Sequence, residues 1–87
     1  MGNITFSDDA FEDYLYWQSQ DKKTLKKINK LLKEIQRTPF SGEGKPEILK
    51  GDDGAWSRRI NEKDRLVYKV VDQGIEVWQC RGHYDDK

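Results

Sequence analysis

Residues 25–39 read LKKINKLLKEIQRTP, and this stretch decides how the chain is organised. Leu25, Ile28, Leu31, Leu32 and Ile35 recur at steps of three and four, which puts them on one stripe of a helix with lysines over the remaining surface. The helix has to end near Arg37, because Pro39 cannot continue it and disfavours helical backbone at Thr38. A helix with one apolar stripe needs a layer to bury it. Upstream, Ser7 is placed as an N-cap, and Asp8, Asp9 and Glu12 come next, where a helix dipole favours negative charge. Ala10, Phe11, Tyr14, Leu15 and Gln18 keep a helical spacing, with Trp17 slightly off the stripe, which predicts a first helix to about Gln20. The NITF run at 3–6 predicts a short edge strand. Together these segments predict an antiparallel helical hairpin whose apolar stripes cover a sheet.

The remainder of the chain supplies that sheet. Residues 38–54, TPFSGEGKPEILKGDDG, hold four glycines and both prolines of the chain. They predict a long crossover loop with a short strand or bridge at EILK. Loops of this length in a small domain tend either to be functional or to act as plain connectors. AWSRRI predicts a strand, NEKD its turn, RLVYKVV a second strand, DQG another turn, and IEVWQCRGHY the last strand. Strand, helix, helix and antiparallel meander give an α+β domain, with two N-terminal helices on one face of a twisted antiparallel sheet. Residues 1–87 form a single domain.

Composition narrows the function classes. Apolar residues make up 34% and charged residues 37%, while three Trp, four Tyr and three Phe supply enough buried area for a folded core. The lone Cys80 cannot form an internal disulfide. With no signal-peptide pattern and no long apolar run, the chain reads as soluble, intracellular and cytoplasmic, with no membrane partner. The opening MGNITF lacks the Ser or Thr at position 6 that N-myristoylation requires. Net charge is zero but strongly polarised. Residues 7–21 carry five acids and no base, whereas 22–37 carry Lys22, Lys23, Lys26, Lys27, Lys30, Lys33 and Arg37 against Glu34 alone. Such a helix face either is simply solvated beside its acidic neighbour or serves an anionic partner.

Most reaction chemistries fail on residue type. One His and one Cys cannot form a zinc tetrad, and no acid spacing resembles a calcium loop, so no metal or cofactor is expected. Gly42 and Gly44 lack the Lys-Ser/Thr and helix of a phosphate loop. What remains is acid/base chemistry. By alternation, Arg65, Val67 and Lys69 share one strand face, and Ile75, Val77, Gln79, Arg81 and His83 share another. Arg58, Arg59, Arg65 and Arg81 on three neighbouring strands are either edge charges that block aggregation or a grip for phosphate. A phosphodiester asks for guanidinium forks, an imidazole that moves a proton near neutral pH, and a carboxylate base. His83 and Glu47 are available for the last two roles.

Taken together, DYLYWQSQDKKTLKKINKLLKEIQRTPFSGEGKPEILKG, WSRRINEKDRLVYKV and the closing CRGHY resemble the YoeB branch of the RelE-type toxins, bacterial toxin–antitoxin partners that cut mRNA. The resemblance runs from about residue 4 to 84. It implies a small RelE-like microbial ribonuclease fold and a ribosome-dependent endoribonuclease acting on mRNA in the decoding site of the 70S ribosome without metal. In that family a carboxylate follows the KP of the loop, an arginine opens RLVY, and a His-Tyr pair ends the last strand. These positions are Glu47, Arg65, His83 and Tyr84.

By resemblance, Glu47 is the general base toward the 2′-hydroxyl, His83 the acid toward the leaving 5′-oxygen, and Arg65 the stabiliser of the transition-state charge. Tyr84 orients or stacks on substrate. Lys50 and Arg59 take the family's supporting basic positions, Arg81 adds a phosphate contact, and Lys22, Lys23, Lys26, Lys27 and Lys30 become a handle on ribosomal RNA. The implied partner is a YefM/Phd-like antitoxin, with operator DNA reached only through that complex, and the family permits a homodimer. Two departures stand out: the added Asp85-Asp86-Lys87 tail, and the acidic GDDGAW segment. The alternative is a non-enzymatic module of the same fold that binds ribosome, or antitoxin and operator, and blocks rather than cuts.

Overall fold

A buried arginine organises the architecture. The computed structural model describes residues 2–51 and 54–82. Strand β1 (Asn3–Phe6) leads into helix α1 (Asp8–Gln20) and helix α2 (Lys22–Arg37), followed by β2 (Glu47–Ile48), β3 (Trp56–Arg59), β4 (Arg65–Val71) and β5 (Gly74–Gln79). Ser7 caps α1 by accepting from the Ala10 N–H at 3.1 Å, and Asp21 caps α2 by accepting from Thr24 N–H at 3.2 Å. The expected helical hairpin and the stop after Arg37 are both present.

The five strands lie in the order β1-β5-β4-β3-β2. Strands β2 to β5 form the expected antiparallel meander, but β1 pairs with β5 in parallel, so the sheet is mixed. The cause is chain direction. The helices return the chain to the far edge running opposite to β1, and three reversals bring β5 back parallel to it. Gly74 makes this pairing possible, because a Cβ there would run into the backbone of Asn3.

Core residues Ile28, Leu31, Leu32 and Ile35 of α2 pack with Leu66, Tyr68, Ile75 and Val77 of the sheet. On α1 the inward residues are Ala10, Trp17 and the half-buried Tyr14, while Phe11 and Leu15 are 50% and 40% exposed. The expected stripe through Phe11 and Leu15 is therefore rotated, and Trp17 belongs to the core. Its indole N–H donates to the Cys80 carbonyl at 2.8 Å, a tertiary bond that turns the helix toward the end of β5. Trp56 packs partly against the core and against Phe40, with ring centroids 5.0 Å apart.

Arg58 is fully buried, and all five of its N–H groups are used. Nε donates to Tyr68 Oη (3.2 Å), Nη1 to Glu34 Oε1 (2.7 Å) and the Glu43 carbonyl (3.2 Å), and Nη2 to the Thr38 (2.7 Å) and Ser41 (2.9 Å) carbonyls. Tyr68 Oη donates its own proton to the Pro39 carbonyl at 2.7 Å. The first half of the long loop is thus wrapped around one guanidinium. Grouping Arg58 with the phosphate-facing arginines is corrected here: on β3 it points toward the helices, opposite to Arg59.

Removing Arg58 leaves the half-buried Glu34 carboxylate without its cation and three loop carbonyls without their donor. Arg58→Ala is expected to cost about 3–5 kcal/mol in urea-melt stability. Glu43 supplies a pH signature. Lys27 and Lys30 lie 3.3 and 3.7 Å from its carboxylate and hold its pKa below the usual 4.5. The folded chain releases that proton more readily than the unfolded chain, so the stabilisation is complete above about pH 4.5 and drains away as pH falls through the depressed value. Melts of Glu43→Gln across this range should show a shallower acid limb than the parent.

Candidate active site

Cross-strand register places the basic residues. Arg59 sits directly opposite Arg65, and the neighbouring row runs from Glu47 through Ser57 to Val67. Residues opposite one another share a sheet face, so Glu47, Arg59 and Arg65 all lie on the face turned away from the helices. Strand spacing puts the Cα atoms of Glu47 and Arg65 about 12 Å apart. Glutamate and arginine side chains reaching inward from that separation leave room for one phosphodiester between them. Two like charges directly opposed on adjacent strands destabilise a sheet unless an anion joins them.

The end of β5 departs from simple alternation. Between Val67 and Tyr68 the register slips, so that Tyr68 faces Val77 while Val67 faces Gln79. A bulge at Trp78 changes the parity. Ile75 and Val77 therefore face the helices and Gln79 faces away, which corrects the expectation of one shared face. The strand ends at Gln79, earlier than expected, and side chains from α1 and the β3–β4 turn hold residues 80–82. Cys80 N–H donates to Asp13 Oδ2 (3.0 Å), its carbonyl accepts from Trp17, and its thiol contacts the Ala10 carbonyl (3.6 Å). Burial, with the Asp13 charge beside it, pushes the thiol pKa up to about 12, so Cys80 is no nucleophile. Burial also raises Asp13 above the usual 3.8, opposed by the Cys80 N–H and the Arg81 charge.

Arg81 lies over the Tyr16 ring of α1, 3.6 Å from guanidinium carbon to ring centroid. It packs on the helix rather than beside Arg59 and Arg65. Gly82 is tied from two directions. Its N–H donates to the buried Asp64 Oδ1 at 2.7 Å, and its carbonyl accepts from Arg65 N–H at 2.9 Å. Asp64 in turn closes the NEKD turn with Asn61, Nδ2 to Oδ2 at 3.0 Å. His83 and Tyr84 lie outside the described residues.

Arg65 is braced as well, its Nη1 donating to the Asn61 (2.8 Å) and Asp64 (3.2 Å) carbonyls. With Arg59 it lines a groove of about 490 Å³ together with Lys27, Lys45 and Asn61. Glu47 and Lys50 are exposed, on β2 and just beyond it, and stand outside that groove. Lys22, Lys23, Lys26 and Lys30 are exposed on α2, and Lys27 and Lys30 share Glu43. Sequence reasoning passed over Lys45, Asp64 and Asp13, whose roles depend on contacts between distant segments.

The sequence model described as the YoeB-like toxin of bacterial type II toxin–antitoxin systems matches residues 6–84. The chain belongs to this family. It is a toxin of a type II toxin–antitoxin system. Toxin YoeB of Escherichia coli (strain K12) is 52% identical over 82 residues, covering 93% of this chain and 98% of the relative. Among solved structures, the YoeB/ParE toxin from Agrobacterium tumefaciens superposes with a TM-score of 0.91 at 46% identity, covering 94% of this chain and 99% of that one. A Staphylococcus aureus YoeB in a heterotetrameric YoeB-YefM complex gives 0.87 at 55% identity, covering 97% and 99%. A YoeB dimer from the same organism gives 0.88 at 55%, covering 94% and 97%. The mixed sheet beneath two helices is thus the YoeB fold. No helix among the described residues is long and apolar enough to cross a membrane.

Asp64 tests how the site end of this YoeB-like chain is held. Asp64→Ala removes a charged acceptor from Gly82 and from Asn61. It is expected to cost about 1.5–3 kcal/mol in denaturant melts and to speed hydrogen exchange at the Gly82 amide before any strand amide.

Proposed function

We propose that this toxin is an endoribonuclease that cuts mRNA in the decoding site of the ribosome. The observation that carries the reading is the opposed Arg59–Arg65 pair on the same sheet face as Glu47. That arrangement suits a phosphodiester laid across the strands. RNA supplies its own nucleophile, so the protein needs only proton transfer and charge stabilisation. Glu47 takes the proton from the 2′-hydroxyl, and the 2′-oxygen attacks phosphorus as the P–O5′ bond breaks. His83 gives a proton to the departing 5′-oxygen. The products are a 2′,3′-cyclic phosphate and a 5′-hydroxyl. Arg65 and Arg59 hold the charge on the phosphorane-like transition state, and Tyr84 orients the neighbouring base.

Support comes from the bracing around these residues. Arg65 is locked by the turn that precedes it, and Gly82, which immediately precedes His83, is bound at both its N–H and its carbonyl. Catalytic groups need such second contacts to hold them within a fraction of an ångström. The exposed lysines of α2 supply a sequence-independent contact to ribosomal RNA, and Lys50 lies just beyond β2 at the border of the strand face. By the likeness to the Staphylococcus aureus assemblies, the partner is a YefM-like antitoxin and a homodimer forms; by the family resemblance, operator DNA is engaged only through the antitoxin complex. The work is cytoplasmic, where ribosomes are.

Purified protein added to programmed ribosomes is expected to yield mRNA cut in the decoding site with 5′-hydroxyl ends. Glu47→Ala and His83→Gln should each lower the single-turnover rate by about 100-fold or more while leaving the melt unchanged. Full cutting by both variants would overturn the assigned roles. Ribosome binding with intact mRNA would instead identify a blocking module.

A further inference from the structure

One cavity, one charge cluster and one unusual backbone coincide at Lys45. Among the described residues, Lys45 is the one non-glycine with a positive φ, at 53°. A side chain in that region is disfavoured relative to glycine, and strain of this kind persists where surrounding structure imposes it. Here the imposing contact is visible. Gly44, itself at φ 87°, runs so close to β3 that a Cβ would meet Arg58 Cβ and the Arg59 carbonyl at 3.0 Å. The Gly44 carbonyl accepts from Arg59 N–H at 2.7 Å. The loop is thereby fastened flush to β3, and the next residue, Lys45, is delivered into the groove with Lys27, Arg59 and Arg65.

The charges in that groove are unevenly matched. Lys27 is already engaged by Glu43 at 3.3 Å. Among the described residues, no carboxylate lies within ion-pair distance of Lys45, Arg59 or Arg65, although Glu62 lines the same groove. Three uncompensated cations converging on a groove of about 490 Å³ call for a ligand with more than one negative oxygen. We infer that the groove holds an RNA phosphate next to the scissile linkage, with Lys45 as its dedicated contact and Arg59 shared between the two phosphates. The inference rests on the proposed activity and extends the substrate path from the sheet face of Arg59 and Arg65 around the β3–β4 turn. Glycine at position 45 would remove the strain but also the charge.

Binding is tested first without ribosomes. A 2′-O-methyl RNA tetranucleotide, which cannot be cut, is titrated into ¹⁵N-labelled protein. The expected result is shifts at the amides of Gly44, Lys45 and Arg59. Lys45→Gln should weaken binding about three- to tenfold and reduce the slope of log affinity against log salt by about 0.7. Lys45→Gly should lose the same affinity while melting at a higher temperature than the parent. Unchanged affinity in both variants overturns the assignment.

Cutting on ribosomes then separates message from ribosomal RNA as the source of the phosphate. A neutral methylphosphonate replacing the flanking phosphate of the mRNA should slow the parent as much as Lys45→Gln does, with no further loss when the two are combined. Additive losses would overturn the mRNA assignment in favour of ribosomal RNA. Failure of the parent to cut at all would count against the proposed activity, whereas the titration reads the groove independently.

Discussion

The loop that borders the candidate site depends on the pairing of the fully buried Arg58 with Glu34. A guanidinium with no access to water has to have every donor answered, and the answers come from α2, from β4 and from three carbonyls of the 38–43 loop. Glu34 is engaged in turn by the Glu43 amide at 2.8 Å. A loop with two prolines and several glycines has little apolar surface with which to fold against the domain. The buried charge orders it instead. Because Arg58 and Arg59 are consecutive on a strand, fixing the first toward the helices fixes the second toward the opposite face.

The site itself is assembled from both ends of the chain. Three residues of α1 hold Cys80, a fourth carries Arg81, and the β3–β4 turn holds Gly82. The segment that leaves β5 is therefore not stabilised by sheet pairing alone. Polar contacts to fixed elements replace the ladder where the bulge interrupts it. The same design appears at the other border, where the Gly44 carbonyl completes the Arg59 amide. Arginines of opposite direction, one buried toward the helices and one on the other sheet face, are neighbours on the same strand.

Much of this was legible in the residues, and the failures have physical causes. Helix α2 announces itself because a periodic stripe of leucine and isoleucine is a local property, and Pro39 is a local stop. Helix α1 misleads because Phe11 and Leu15 are as apolar as Tyr14 and Trp17. What orients it is the reach of Trp17 and Asp13 to the Cys80 backbone, a contact with no period. Alternation correctly put Arg65, Val67 and Lys69 on one face. It failed on β5 because a bulge inserts one residue without any compositional mark. Nothing local told Arg58 from Arg59, since both neighbours on a strand look alike until one face is known to be covered. The parallel seat of β1 emerges only from counting reversals, and the backbone of Lys45 only from the loop's attachment to β3. For Glu47 and Arg65, family resemblance named the positions, and register puts them on one face of the sheet.

The parallel seat of β1 beside β5 has a consequence for how the toxin comes into being. Asn3 to Phe6 find their strand partners in Gly74 to Val77, and the first helix finds its anchoring hydrogen bonds at Cys80. Contacts spanning more than sixty residues are closed late, because loop entropy is spent before any of them forms. Until β5 is in place, β1 therefore has no seat and α1 lacks its anchoring bonds at Cys80. The border of the candidate site formed by residues 80–82 is therefore among the last parts of the domain to be fixed.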